Sequence, residues 1–205
     1  TQGDDELTIS NDLTIDENKD PWAEIYLDNG NDTLTLSDNF KYYTYGGDGN
    51  DTITGGSGND SIMGQGGDDT LYGGIGDDHL SGGEGTDSLQ GGDGNDLYRF
   101  LGLSGADLIE DSAGSDTVVF SRLYDRIDTW GEPYQDGNDL VYRSENDVTG
   151  FRIVDHFNGK PIEFWEYKDI DDWEGYTLTV LPGATTTSLD NTNELIIGTS
   201  GEDVL

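Results

Sequence analysis

The chain has 205 residues, with 9 Lys plus Arg against 44 Asp plus Glu, a net charge of −35. Its apolar share of 32% lies below the roughly 45–50% of an ordinary globular domain. Such charge excludes nucleic acid as a direct partner, and sparse apolar content with high net charge marks a chain that stays unfolded until something neutralises it. No apolar run reaches membrane-spanning length, and no Cys is present to form a disulfide or bind a soft metal.

Residues 1–45 form an N-terminal β-rich segment. Gly3, Asp5 and Leu7, and again Gly30, Asp32 and Leu34, stand at the spacing of a repeat that becomes regular further on. The aromatic-rich stretch with Trp22, Ile25, Tyr26, Leu27, Phe40, Tyr42, Tyr43 and Tyr45 is expected to cap one end of that array.

From Gly46 to Arg99 one nine-residue unit recurs six times without a gap: GGDGNDTIT, GGSGNDSIM, GQGGDDTLY, GGIGDDHLS, GGEGTDSLQ and GGDGNDLYR. Only Gln65 breaks the paired glycine. Glycines at the first, second and fourth places are expected to turn the backbone at positive φ and gather carbonyl oxygens around one space. The sixth place supplies a carboxylate in every unit: Asp51, Asp60, Asp69, Asp78, Asp87 and Asp96. The remaining donors come from the same loops: Asp48, Gly49 and Asn50; Ser57, Gly58 and Asn59; Gly66 and Asp68; Ile75 and Asp77; Glu84 and Thr86; Asp93 and Asn95. A set made only of carboxylate and carbonyl oxygens selects calcium over the smaller, water-retaining magnesium, and several ions are expected.

After each turn a three-residue strand is expected, its middle side chain pointing inward, Ile53, Ile62, Leu71, Leu80, Leu89 and Tyr98, and the two beside it, such as Ser61 and Met63, solvated. Two units per coil would stack Ile53, Leu71 and Leu89 on one sheet and Ile62, Leu80 and Tyr98 on the other. Asp51, Asp69 and Asp87 would then line one edge, and Asp60, Asp78 and Asp96 the opposite edge. Carboxylates stacked roughly 5 Å apart repel, so order is expected only with calcium, metal binding supplying folding free energy.

Residues 100–181 continue with degenerate units and a β-rich C-terminal flank. After a two-residue offset at Phe100 and Leu101, Asp107 with Ile109 and Asp116 with Val118 keep the phase. Alternating segments DTVVF, DLVYR, FRIV, IEFWEY and YTLTV read as strands that cover the open coil end. Residues 182–193 read as a linker, and 194–205, with Gly201, Asp203 and Leu205 in phase, as the start of a further repeat block. The whole is expected to be an all-β, parallel β-roll (β-solenoid) with β-rich capping segments at both ends, part of a longer chain.

The six units resemble the RTX (repeats-in-toxin, haemolysin-type) calcium-binding repeats, and DLYRF, DTVVF, DGNDLVYR, FRIVDHF and IEFWEY resemble the flank that often follows such a block. Trp165, Glu166 and Tyr167 replace the small acidic turn more usual there. The resemblance implies a calcium-binding module of a large secreted toxin or adhesin of a Gram-negative bacterium. It also implies export by a type I secretion machine and folding on extracellular calcium. By the same resemblance the calcium role extends to Asp107 and Asp116.

No catalytic residue is expected, since neither GxSxG nor HExxH occurs. The pairs Asp68–Asp69 and Asp77–Asp78 belong to the calcium loops, Asp171–Asp172 to a polar turn, and Asp155–His156 to a surface pair. The alternative function is a calcium-dependent glycan or cell-surface binding module, or an accessory module of a polysaccharide-modifying enzyme. Exposed rings beside polar groups would favour it over capping.

Overall fold

Side chains that alternate in and out, on strands separated by glycine-rich corners every nine residues, can be buried only by stacking one coil on the next. A computed structural model shows that arrangement and describes residues 3–9, 22–37, 39–101, 105–111, 113–122, 134–143, 150–154, 164–169, 176–179, 184–189 and 195–199. The strands are β1 (Glu6–Ile9), β2 (Trp22–Asn29), β3 (Thr33–Leu36), β4 (Lys41–Asp48), β5 (Thr52–Gly56), β6 (Ser61–Gly66), β7 (Thr70–Ile75), β8 (His79–Glu84), β9 (Ser88–Asp93), β10 (Leu97–Leu101), β11 (Ala106–Ile109) and β12 (Thr117–Arg122). Consecutive strands fall on alternate sheets and every pairing among these twelve is parallel, giving two walls of a β-roll.

The core is one file of side chains per wall. Leu34, Ile53, Leu71, Leu89 and Ile109 stack in one, and Ile62, Leu80, Tyr98 and Val118 in the other, all at most 1% exposed. The array repeats every 18 residues per coil, as in Ile53↔Leu71. One longer coil follows, with Leu97↔Thr117 offset by 20, and it keeps the phase.

Three local expectations are corrected. The array strands run five or six residues, not three, because the glycine pair of the next unit continues the ladder, as in Gly56↔Gly74. The first-place glycines lack the positive φ expected of them, which belongs to the second place, as at Gly47 (φ 120), and to most fourth-place glycines. Ser61, expected to be solvated, faces outward yet is only 7% exposed, flanked in register by Tyr43 and His79.

The N-terminal aromatic stretch belongs to the roll. β2 and β4 are strands of one wall, with Leu27 and Tyr42 inward and Trp22 and Tyr26 outward. At the other end β15 (Gly150–Ile153) adds parallel to β11, and the antiparallel hairpin β13 (Tyr134–Asp136) and β14 (Asp139–Arg143) follows it. Arg152 ties that hairpin through Asp136 at 2.6 Å and Asp139 at 2.5 Å. The second wall ends on β16 (Phe164–Asp169), parallel to β12, and β17 (Tyr176–Thr179), antiparallel to β16. Phe100 and Phe151 stack with ring centroids 4.8 Å apart.

The expected linker over 182–193 contains β18 (Ala184–Leu189), and β19 (Leu195–Thr199) pairs antiparallel with it. The Thr-rich run of Ala184–Leu189 has the β-branched composition of a strand. Residues 201–205, Asp155–His156 and Asp171–Asp172 lie outside the described residues.

Candidate metal sites along the two edges

Each sixth-place aspartate turns into the roll, where its Oδ1 accepts the backbone N–H of the sixth-place residue one coil earlier. On one edge the donors run from Asp5 to Asp32 (2.5 Å), Asp32 to Asp51, Asp51 to Asp69 and Asp69 to Asp87 (2.8 Å each), and Asp87 to Asp107 (2.9 Å). On the other, Tyr42 donates to Asp60 (2.8 Å), Asp60 to Asp78 (2.7 Å), Asp78 to Asp96 (2.8 Å) and Asp96 to Asp116 (2.9 Å). The rows expected at Asp51, Asp69, Asp87 and at Asp60, Asp78, Asp96 are therefore present and unequal. The first spans six aspartates from Asp5 to Asp107, the second four from Asp60 to Asp116, beginning where Tyr42 occupies the sixth place.

The second oxygen is what suits these rows to a cation. Oδ2 of Asp32, Asp51, Asp69, Asp78, Asp87 and Asp96 is buried without a hydrogen-bond partner, a costly state for a carboxylate unless an ion or a proton meets it. The first-place glycines make room for it: a Cβ on Gly46, Gly55, Gly64, Gly73, Gly82 or Gly91 would lie 2.0–2.7 Å from Oδ2 of its own unit's aspartate. Burial pushes the Asp69 and Asp78 carboxyls up to about 7, Asp107 to about 8 and Asp96 to about 6, with Asp51 and Asp87 also raised by burial. All the donors are oxygens, the chemistry of a hard cation with a large, flexible shell.

The other candidate ligands divide by place in the unit. Third-place Asp48, Ser57, Ile75, Glu84 and Asp93 expose their side chains, with Gly66 half-buried. The carbonyls of Asp48, Gly66, Glu84 and Asp93 each accept an amide from the preceding coil, from Gly30, Gly49, Gly67 and Gly76. Fourth-place Gly49 is half-buried and Gly58 buried in the same corners.

The fifth place, expected to supply cation donors, also carries a hydrogen-bond ladder. Oδ1 of Asn50 accepts the amide of Asp68 at 3.0 Å, Asp68 that of Thr86 at 2.8 Å, Asn59 that of Asp77 at 3.2 Å, and Asp77 that of Asn95 at 2.8 Å. This exposed ladder runs opposite to the sixth-place one, each side chain accepting from the coil that follows. Its signal is plain once sought: Asn50, Asn59, Asp68, Asp77 and Asn95 put a side-chain acceptor at a variable place in five of six units.

A family model described as the RTX calcium-binding nonapeptide repeat (4 copies) matches residues 45–80, 72–100 and 99–127. No curated protein matches the chain. Among the described residues, no helix is long and apolar enough to cross a membrane.

Proposed function

Since residues 45–127 place the chain among the RTX calcium-binding repeat proteins, we propose that it is a folding module of a larger secreted protein, ordered by extracellular calcium. The observation that carries this is the file of buried, partnerless Oδ2 atoms on both edges. Two unit charges about 5 Å apart cost roughly 3 kcal/mol at an effective dielectric near 20, and the rows repeat that contact at each coil. A divalent ion between neighbouring carboxylates reverses its sign. The first row has gaps at five steps from Asp5 to Asp107 and the second at three from Asp60 to Asp116. Asp48, Glu84, Asp93, Asp68 and Asp77 carry further, exposed carboxylates in the same corners and add negative potential around these gaps.

Extracellular modules of this ligand type bind in the ~10⁻⁴ to 10⁻³ M range, which leaves the chain unfolded inside a cell and folded outside. That property suits passage through a type I secretion machine and rigid presentation of neighbouring toxin or adhesin domains. Catalysis forms no part of the proposal: in Asp68–Asp69 and Asp77–Asp78 one carboxylate serves the exposed ladder and the other the buried row. Far-UV circular dichroism titrated with calcium, with magnesium as control, tests the reading. A cooperative gain of β signal near millimolar calcium is expected; a chain already fully folded in chelator overturns it.

A second reading rests on Trp22 and Tyr26, 41% and 58% exposed on the outer face of β2. Trp22 meets Tyr43 edge-on at 5.3 Å, Tyr26 stacks on Tyr45 at 4.7 Å, and the Tyr26 hydroxyl donates to Glu24 at 2.9 Å. Solvent-facing rings beside carboxylates support stacking on a neutral, hydroxyl-rich glycan. Quenching of tryptophan fluorescence by soluble dextran, lost in Trp22→Ala, is the expected result; no quenching in the calcium-loaded chain overturns it.

A further inference from the structure

One unit departs from the array at its first place. Asp111 stands where the six array units carry glycine, and the parallel bridge between Asp93 and Ala113 sets it one coil beyond Gly91. Instead of leaving room for the row, this position sends a third carboxylate into it. Asp96, Asp111 and Asp116 are 1%, 4% and 2% exposed, and each brings a carboxylate oxygen within 4.8 Å of the others.

The space between them is built rather than incidental. Asp96 Oδ2 is buried without a hydrogen-bond partner, and it packs directly over Gly91, where a Cβ would lie 2.1 Å from it and 2.6 Å from the Tyr98 hydroxyl. Tyr98, the only aromatic residue at an eighth place of the array, takes the Gly91 amide on its hydroxyl at 2.7 Å and donates its own proton to Asp111 Oδ2. The Ala113 amide reaches Asp111 Oδ1 at 3.2 Å. Both Asp111 oxygens are thereby oriented, and Asp96 Oδ1 and Asp116 Oδ1 are fixed by the amides of Asp78 and Asp96.

We propose that Asp96, Asp111 and Asp116 form a three-carboxylate calcium site at the end of the second row, tighter than the sites between sixth-place pairs, with Tyr98 positioning Asp111. Calcium affinity rises with the number of charged ligands and with the rigidity of the site, and this place has more of both. An ion here joins the last array strand β10 to the Asp111 corner and the sixth-place residue before β12, so it fastens the flank to the roll. The proposal rests on the calcium reading above.

Calorimetric titration of the full chain with calcium separates the two. The wild type is expected to show a tightest phase of one ion, about tenfold tighter than the rest. That phase disappears in Asp111→Asn and in Asp111→Gly, the latter carrying the array's own residue, while the weaker phases and the calcium-saturated dichroism spectrum persist. Tyr98→Phe weakens the tight phase without removing it. If both Asp111 variants titrate like the wild type, the three-carboxylate site is refuted and the folding module stands. If the chain binds no calcium in any form, both are refuted.

Discussion

The amide of Asp60 donates to Oδ1 of Asp78 at 2.7 Å, across 18 residues of sequence and one coil of the roll, and leaves the second oxygen of Asp78 buried without a partner. One carboxylate thus does two jobs, fixing the height of a coil and holding charge where a cation can neutralise it.

Those jobs separate in Asp69→Asn, Asp78→Asn. Asn keeps an oxygen for the amides of Asp51 and Asp60 but replaces the charged oxygen with an amide. The calcium midpoint of folding is expected to rise at least about threefold. An unchanged midpoint in a dichroism titration would remove both residues from the ligand set.

Protons should substitute for calcium in part. The Asp96, Asp69, Asp78 and Asp107 carboxyls are raised to about 6, 7, 7 and 8 by burial, above the value near 4 of an unfolded chain. The folded, metal-free chain therefore holds more protons than the unfolded one between about pH 4 and pH 8, so these groups favour folding below that window and lose their effect as pH rises through about 6 to 8. In chelator the β signal should be greatest near pH 4 and decline toward pH 8. In calcium the dependence reverses, because protons compete for the ligands. A chelated chain whose β signal rises with pH contradicts this account.

Gln65 adopts φ 83 at the second place, where the other array units have glycine. A left-handed side-chain-bearing residue costs about 1–2 kcal/mol, and glycine returns part of that as unfolded-state entropy. Gln65→Gly is expected to stabilise the calcium-loaded chain by about 0.5–1 kcal/mol in urea unfolding; a loss of stability would show that the Gln65 side chain makes compensating contacts.

Thr44 pairs in register with the core residue Ile62, and its hydroxyl is buried without a hydrogen-bond partner. Thr44→Val keeps the shape and removes the orphaned group, so a gain of about 1 kcal/mol is expected. Equal urea midpoints for the two proteins would point to a water on Oγ1.

What the sequence made legible was whatever each unit repeats within itself. The sixth-place charge and eighth-place side chain recur from Asp51 and Ile53 to Asp96 and Tyr98, and both find their neighbours one coil away. The first-place glycine was misread because its reason lies in space: the carboxylate of its own unit folds back over it, as Asp51 does over Gly46. The fifth-place ladder was missed since Asn and Asp interchange there and Thr86 interrupts them, and the acceptor oxygen that Asn and Asp share matters more than their identity. The coils at β2 and β4 were hidden because Tyr42 and Thr44 take the places of Asp and Ile, at a 19-residue spacing such as Trp22↔Lys41.

The two ladders, inner and outer, point in opposite directions along the roll. Detaching the last coil breaks inner bonds through its carboxylates and outer ones through its amides; detaching the first does the reverse. Neither end offers a seam at which only one kind of bond must give. A pull along the axis therefore meets the same paired resistance from either terminus, and the roll behaves as a rope whose two strands are laid in opposite senses.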